Sequence, residues 1–214
     1  MLNIQRLTVN MVAENCYLVW DGTREAAVID CGAFFPEEEE ALARLVADNG
    51  LTVKLLLNTH GHFDHIFGAN FIHRRYGVGI SLCADEEDTY DDAPRQMQQF
   101  IVQALPLTLA PKAAFFKDGD TLRFGHTELE VIATPGHTPG GVCFLCRTEG
   151  VLFSGDSLFR HAIGRCDLPG GDHTRLVTAL RERVLTLPGS VRVLPGHGAE
   201  TTIAEERASN PYLA

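Results

Sequence analysis

The segment Thr59-His60-Gly61-His62-Phe63-Asp64-His65 constrains this chain more than any other feature, because it sets three imidazoles and a carboxylate side by side directly after an apolar run. A folding core gains nothing from such a cluster, since burying each polar group without a partner costs about 1–3 kcal/mol. Imidazole nitrogen and carboxylate oxygen are ligands that zinc, iron and manganese share. The segment is therefore expected to serve a metal rather than packing.

Three further positions extend the set: His137 in Thr134-Pro135-Gly136-His137-Thr138, Asp156 in Ser154-Gly155-Asp156-Ser157, and His197 in Pro195-Gly196-His197-Gly198. Each follows a β-rich apolar run (Leu129 to Ile132, Val151 to Phe153, Val191 to Leu194) and comes directly after a glycine, which lets the backbone turn sharply and approach a ligand closely. One histidine after a glycine carries little. The same local design at three strand ends predicts that these side chains meet the first cluster on one rim of a sheet, in numbers sufficient for two metals.

Composition narrows the classes. A length of 214 residues with 45% hydrophobic content is read as one domain, residues 1–214, with ample material for a core. The formal net charge of −10 argues against nucleic-acid binding as the main function, because phosphate contacts need a basic surface. Met1 to Asn10 has no charged region followed by an apolar stretch, and no run approaches the roughly eighteen apolar residues of a membrane span. A soluble, cytoplasmic protein is expected. Six scattered cysteines in a chain of this length fit a reduced compartment without disulfides. Cys143 and Cys146 fall three apart on an expected strand and so point to opposite faces, which excludes a shared metal or redox pair. Cys166, in a glycine-bounded loop after Asp156, reads as an ordinary loop thiol.

Ile4 to Val9, Cys16 to Trp20 and Ala26 to Ile29 read as sequential antiparallel strands, the last two joined by a turn at Asp21-Gly22. A helix follows, with Pro36 in its first turn, the acidic run Glu37 to Glu40 at its positive end, an apolar face of Leu42, Leu45 and Val46, and a stop at Gly50. The strand Val53 to Leu57 delivers the histidine segment. A helix from about His65 to Tyr76, a strand Val78 to Leu82 and a helical stretch from Asp85 to Ala104 come next, with Asp85, Glu86, Glu87 and Asp88 read as capping and solvated groups. Pro106 and Pro111 mark a loop. A second β-rich half is expected from Ala113: Ala113 to Phe116, Thr121 to Phe124, Glu128 to Ile132, Val142 to Cys146 and Val151 to Phe153. A helix Thr174 to Leu185 and a final strand Val191 to Leu194 close the pattern. This is an α/β (α+β) chain with two packed sheets and helices on their outer faces.

The set His60-x-His62-x-Asp64-His65, His137, Asp156 and His197, with Ala27-Val28-Ile29-Asp30, resembles the metallo-β-lactamase fold superfamily along essentially the whole chain. The resemblance implies a four-layer αββα sandwich of two mixed β-sheets flanked by helices. Ser157-Leu158-Phe159-Arg160, Gly164-Arg165-x-Asp167-Leu168-Pro169-Gly170-Gly171-Asp172 and Glu206-Arg207-x-x-Asn210-Pro211-Tyr212 are similar to short glyoxalase II-like (hydroxyacylglutathione hydrolase-like) enzymes, a thioesterase branch. By that resemblance His60, His62 and His137 hold one metal, Asp64, His65 and His197 hold a second, and Asp156 bridges them. The metals implied are two divalent ions, zinc first, with iron or manganese as alternatives. Asp64 and Asp156 are the catalytic carboxylates, around a hydroxide that bridges the metals and attacks the carbonyl of a small-molecule thioester or ester. Neither nucleic acid nor membrane is an expected partner, and the oligomeric state is not written in the chain.

Other polar residues read as follows. Asp30 is either an acceptor for a ligand histidine's second N–H or a turn cap. Arg165 and His161, in the loop after Asp156, are substrate-contact candidates, with an Arg165–Asp167 ion pair as the competing account. His73 and His126 read as surface residues, and Asp172-His173-Thr174 as a helix cap. Longer glyoxalase II enzymes carry a helical carboxyl-terminal domain for glutathione, whereas this sequence ends soon after His197. Cys31 stands where many relatives have proline, and His161 where glycine is common. Rival functions are a mononuclear iron enzyme of the persulfide dioxygenase kind, built on His60, His137 and Asp156, a lactonase, and a non-catalytic metal-binding module. An antibiotic lactamase is disfavoured, since such enzymes commonly place a cysteine or a non-bridging ligand where this chain has an aspartate.

Overall fold

In the computed structural model, which describes residues 1–100 and 107–214, the first strands form an antiparallel meander: β1 (Asn3–Val9), β2 (Glu14–Trp20) and β3 (Glu25–Ile29). β4 (Thr52–Leu57), β5 (Ile80–Cys83) and β6 (Lys112–Phe116) then add in parallel, so the sheet is mixed and runs β1 to β6 in chain order. The second mixed sheet contains β7 (Thr121–Phe124), β8 (Thr127–Ala133), β9 (Val142–Cys146) and β10 (Val151–Gly155). A small separate hairpin of β11 (Leu158–Phe159) and β12 (Ala162–Ile163) precedes β13 (Arg192–Pro195) and β14 (Thr201–Thr202), and the sheet order is β14-β13-β10-β9-β8-β7. The helices are α1 (Pro36–Asp48), α2 (Ala69–Tyr76), α3 (Glu87–Asp91), α4 (Ala93–Phe100), α5 (His173–Ala179) and α6 (Ile203–Ser209).

Four layers need three apolar interfaces, and the buried residues fall into three clusters. Along β2, Cys16 and Leu18 face the helices of the first sheet while Tyr17 and Val19 face the second sheet. Along β9, Val142, Phe144 and Cys146 face the first sheet while Cys143 and Leu145 pack beneath α5 with Leu176 and Leu180. Strands covered on both sides read as continuous apolar runs rather than alternating ones, which is why these segments were legible as strands but not as to face. Cys143 and Cys146 accordingly lie in different interfaces, and the described cysteines are all free thiols. Among the described residues no helix is long and apolar enough to cross a membrane.

Several boundaries differ from expectation for identifiable reasons. The helix expected from His65 begins only at Ala69, because Phe63–His65 closes a separate 3-10 turn; it does end at Gly77, whose φ of 74° forms a left-handed cap. The stretch from Asp85 divides into a 3-10 turn Ala84–Glu86, α3 and α4, and its expected end at Ala104, with Pro106, lies outside the described residues. Ala113 to Phe116, assigned above to the second half, belongs to the first sheet: β6 pairs in parallel with β5 across the connection that contains α3 and α4. Sheet membership is set by long-range hydrogen bonding, which sequence order does not encode. The helix expected at Thr174 to Leu185 is α5 followed by a π-helical turn, Leu180–Val184. Val191 to Leu194 is not the last element, since β14 and α6 follow it. Buried Glu206 of α6 holds the β11–β12 hairpin, accepting from the His161 N–H at 2.9 Å and from Asn210 Nδ2 at 2.8 Å.

Candidate metal centre

The carboxyl ends of β4, β8, β10 and β13 open onto a common rim, and the two sheets are tied there by the Val142 N–H donating to the Thr59 carbonyl at 2.9 Å. Buried Asn58 folds the loop after β4 back on itself, its Nδ2 donating to the carbonyls of His65 (3.0 Å) and His60 (3.3 Å). At the rim of β13, Asn15 Nδ2 donates to the carbonyls of Pro195 and Gly198, both at 3.0 Å, and fixes the turn that presents His197. Gly196 is required there: a Cβ would lie 2.4 Å from Asp156 Oδ1 and 2.6 Å from His65 Cε1.

The seven residues named above are brought together. Ring centroids are 4.8 Å apart for His60–His62, 4.6 Å for His62–His137 and 4.9 Å for His60–His137. His65 lies 4.2 Å from His60 and 5.2 Å from His197. Asp64 Oδ2 is 3.3 Å from His197 Nε2 and 3.8 Å from His65 Nε2. Asp156 reaches both groups, with Oδ1 at 3.3 Å from His65 Nε2 and Oδ2 at 3.7 Å from Nε2 of both His137 and His197.

Three of the rings are hydrogen-bonded from behind at Nδ1, and the fourth, His65, has a carboxylate near that atom without a hydrogen bond. His137 meets the Arg165 carbonyl at 2.7 Å, His197 the Val12 carbonyl at 3.2 Å, His65 the Asp30 Oδ2 at 3.2 Å and His60 the Thr59 hydroxyl at 3.1 Å. That arrangement leaves Nε2 facing inward as an acceptor. The Nε2 atoms of His60, His65 and His137, and Oδ1 of Asp156, are buried without any hydrogen-bond partner. Buried polar atoms are rarely orphaned. Here ligand atoms of His60, His62 and His137, of His60, His65 and Asp156, and of Asp64, His65 and His197 each gather within 4.8 Å of one another, so the donor set fits divalent cations.

The electrostatics divide the centre. Burial pushes the His60 imidazole well below its usual range, reinforced by the neighbouring rings of His65, His62 and His137, and pushes His62 down to about 3 with His137 adding to the effect. Burial also opposes charge on His65, but Asp156 and Asp64 outweigh it and hold that ring well above the usual value. His197 is raised in the same way, against burial, by its hydrogen bond to Asp64 and by Asp156. Asp156, which burial alone would raise, is drawn well below the carboxylate range by His65 and His197.

Of the two roles that the sequence left open, Asp30 takes that of the turn cap and stands 3.2 Å from His65 Nδ1 without hydrogen-bonding it. It accepts from the Thr59 N–H and hydroxyl, each at 2.7 Å. Arg165 forms a bidentate pair with Asp167 at 2.7 and 2.8 Å and also lines the cavity above the centre. His161 turns away, its Nε2 3.5 Å from Glu205 and outside that cavity's lining. Asp172 caps α5 through the Arg175 N–H, and His126 is exposed. His73, expected at the surface, is half-buried.

The cavity is lined by Phe63, Phe100, Leu168, Pro169, Arg95 and Arg165, with the Phe63 and Phe100 rings 5.6 Å apart. The α4 wall was not foreseen, nor were two buried carboxylates. Glu14 is fully buried beside His65 Nδ1 (3.8 Å), with neither oxygen hydrogen-bonded, and its burial raises its pKa. Glu86, read above as solvated, is also fully buried. The signal for Glu14 was a charged residue at the head of the apolar strand that starts at Cys16; for Glu86 there was none.

Comparison with known proteins gives a consistent picture. The model of the metallo-beta-lactamase superfamily matches residues 9–197. The chain is 36% identical to hydroxyacylglutathione hydrolase GloC of Haemophilus influenzae over 214 residues, covering 99% of this chain and 98% of that one. Among solved structures it superposes on BLEG-1 B3 metallo-beta-lactamase with a TM-score of 0.90 at 33% identity, covering 99% of this chain and 100% of that one. It superposes on TTHA1623 in a di-iron-bound form with a TM-score of 0.84 at 34% identity, covering 98% and 100%.

Proposed function

This chain belongs to the metallo-beta-lactamase superfamily, and from that premise we propose that it is a dinuclear metal-dependent hydrolase of the hydroxyacylglutathione hydrolase (glyoxalase II) type, acting on small-molecule thioesters. The observation that carries this reading is the position of Asp156, one carboxylate within 3.3–3.7 Å of imidazole nitrogens from both ligand groups. His60, His62 and His137 would hold one cation, Asp64, His65 and His197 the other, and Asp156 both. Two divalent ions, zinc first and iron or manganese as alternatives, supply when bound a water of lowered pKa and a Lewis acid for a carbonyl oxygen.

The remaining chemistry belongs to the chain. Asp64 lines the cavity with Asp156, and its carboxylate would accept a hydrogen bond from the attacking water and orient it. The Arg165 carbonyl keeps the His137 ring from rotating, and the Asp30 carboxylate beside His65 Nδ1 favours one orientation of that ring, so the centre is organised before substrate arrives. Phe63, Phe100, Leu168 and Pro169 line the cavity and exclude bulk water from the carbonyl, and the Arg165 guanidinium, also in the lining, meets an anionic arm of the substrate. Turnover of S-lactoylglutathione by the purified protein tests the reading; inactivity against every thioester tried would remove it.

A second reading is β-lactam hydrolysis, favoured by the likeness to BLEG-1 across the whole chain. It predicts turnover of a chromogenic cephalosporin that exceeds turnover of thioesters. A single iron with oxygen consumption would instead mark the persulfide dioxygenase-like alternative, and ring-ester turnover above thioester turnover the lactonase.

A further inference from the structure

We propose that Glu86 is the positioning residue that sets the spacing of the His60, His62 and His137 ligands, by clamping the two loops that carry them. This rests on the metal-centre reading above. Glu86 lies in the 3-10 turn Ala84–Glu86 and is 0% exposed. Its Oε2 accepts from the Gly61 N–H at 2.8 Å and its Oε1 from the Gly140 N–H at 2.6 Å. Gly61 stands between His60 and His62 in the loop after β4, and Gly140 follows His137 in the loop between β8 and β9. One carboxylate thus spans two loops delivered by different sheets, one oxygen on each.

A second observation points to the same place. A Cβ on Gly61 would lie 2.7 Å from Tyr90 N, and a Cβ on Gly140 would lie 2.7 Å from the Asp85 carbonyl carbon. Both ligand loops therefore press their backbones against the segment that carries Glu86, and the absence of side chains at both glycines is what permits the approach. The group must also be a carboxylate. A glutamine of the same shape would turn an NH₂ donor toward one of the two N–H donors and open one side of the clamp. The Asp64, His65 and His197 group is not touched by Glu86; it is supported by Asn58, Asp30 and Asn15. A clamp of this kind should affect one metal and spare the other, whereas a merely structural buried glutamate would alter stability without such selectivity.

The test compares wild type, Glu86→Gln and Glu86→Asp in zinc competition against a chromophoric chelator, with metal content by mass spectrometry and melting of the metal-free proteins as a fold control. Expected in Glu86→Gln is a loss of about 10- to 100-fold in affinity for one of two zinc ions, as for other residues that orient ligands, with the second zinc held within about twofold. Activity should recover with excess zinc. Glu86→Asp, which keeps the charge but cannot span both loops, should fall between and serves if the glutamine variant does not fold. Combined with His62→Ala, the Glu86→Gln change should add nothing further, because both act on one ligand group. Two zinc ions bound with wild-type affinity by Glu86→Gln, or equal weakening of both, would overturn the clamp alone. A wild type that binds no zinc pair would overturn the dinuclear reading and the clamp with it.

Discussion

The two ligand groups of the centre are built on opposite electrostatic plans. In the His60, His62 and His137 group, burial and the neighbouring rings push His60 well below its usual range and His62 down to about 3. In the other group Asp64, together with Asp156, draws charge onto His65 and His197. His60 and His62 thus offer a cation unprotonated nitrogens, while His65 and His197 favour protons where a cation would sit. Metal binding at the second group must therefore displace protons, and at the first it need not.

The largest break in that comparison is expected from His62→Ala. Losing several kcal/mol of Lewis-acid and water-activating chemistry should cut kcat/KM about a thousandfold, while melting of the metal-free protein stays near that of wild type because His62 lines the cavity rather than the apolar core. Steady-state assays and a thermal melt check both halves of the statement. Asp30→Asn should be smaller and reach both groups, because Asp30 stands behind His65 and also accepts from the Thr59 hydroxyl that backs His60: each metal is expected to weaken by about 10- to 100-fold in a chelator competition.

Acid titration of metal content sharpens the contrast further. The pKa values of His65 and His197 are raised, so protons compete for their nitrogens at higher pH than for the depressed His60 and His62. As pH falls from neutrality the metal of the Asp64, His65 and His197 group should leave first, giving a stoichiometry that passes from two to one before reaching zero. Simultaneous loss of both would erase the distinction. Arg165→Ala should do least. The link from Arg165 to His137 runs through the main-chain carbonyl and survives the substitution, and its guanidinium is already paired with exposed Asp167, so metal affinity should change less than about threefold. Any larger effect should appear in KM for anionic substrates alone.

These differences also explain what could be read from the sequence. His60, His62, Asp64 and His65 were legible because one loop supplies all four, and their density has no packing explanation. His137, Asp156 and His197 were legible as a repeated strand–glycine–ligand design and through resemblance, since each comes alone from its own strand end. Glu86 was not legible: it lies in the run Asp85 to Asp88, and nothing local separates a buried clamp from solvated neighbours. The placement of β6 in the first sheet and the α4 wall with Arg95 and Phe100 depend on pairing and packing between distant segments, which neither periodicity nor turn chemistry reports. His161 shows the opposite error, because closeness in sequence to Asp156 suggested closeness in space, while its contacts are with Glu205 and Glu206 and it is not in the cavity lining.

Metal content per chain, counted by mass spectrometry on wild type and Asp156→Ala purified without added metal, tests the bridged centre most directly. The bridged centre requires two divalent ions in the wild type and no more than one in the variant, because among the described residues Asp156 is the carboxylate in reach of both groups. A single ion in the wild type, or two retained without Asp156, would contradict it.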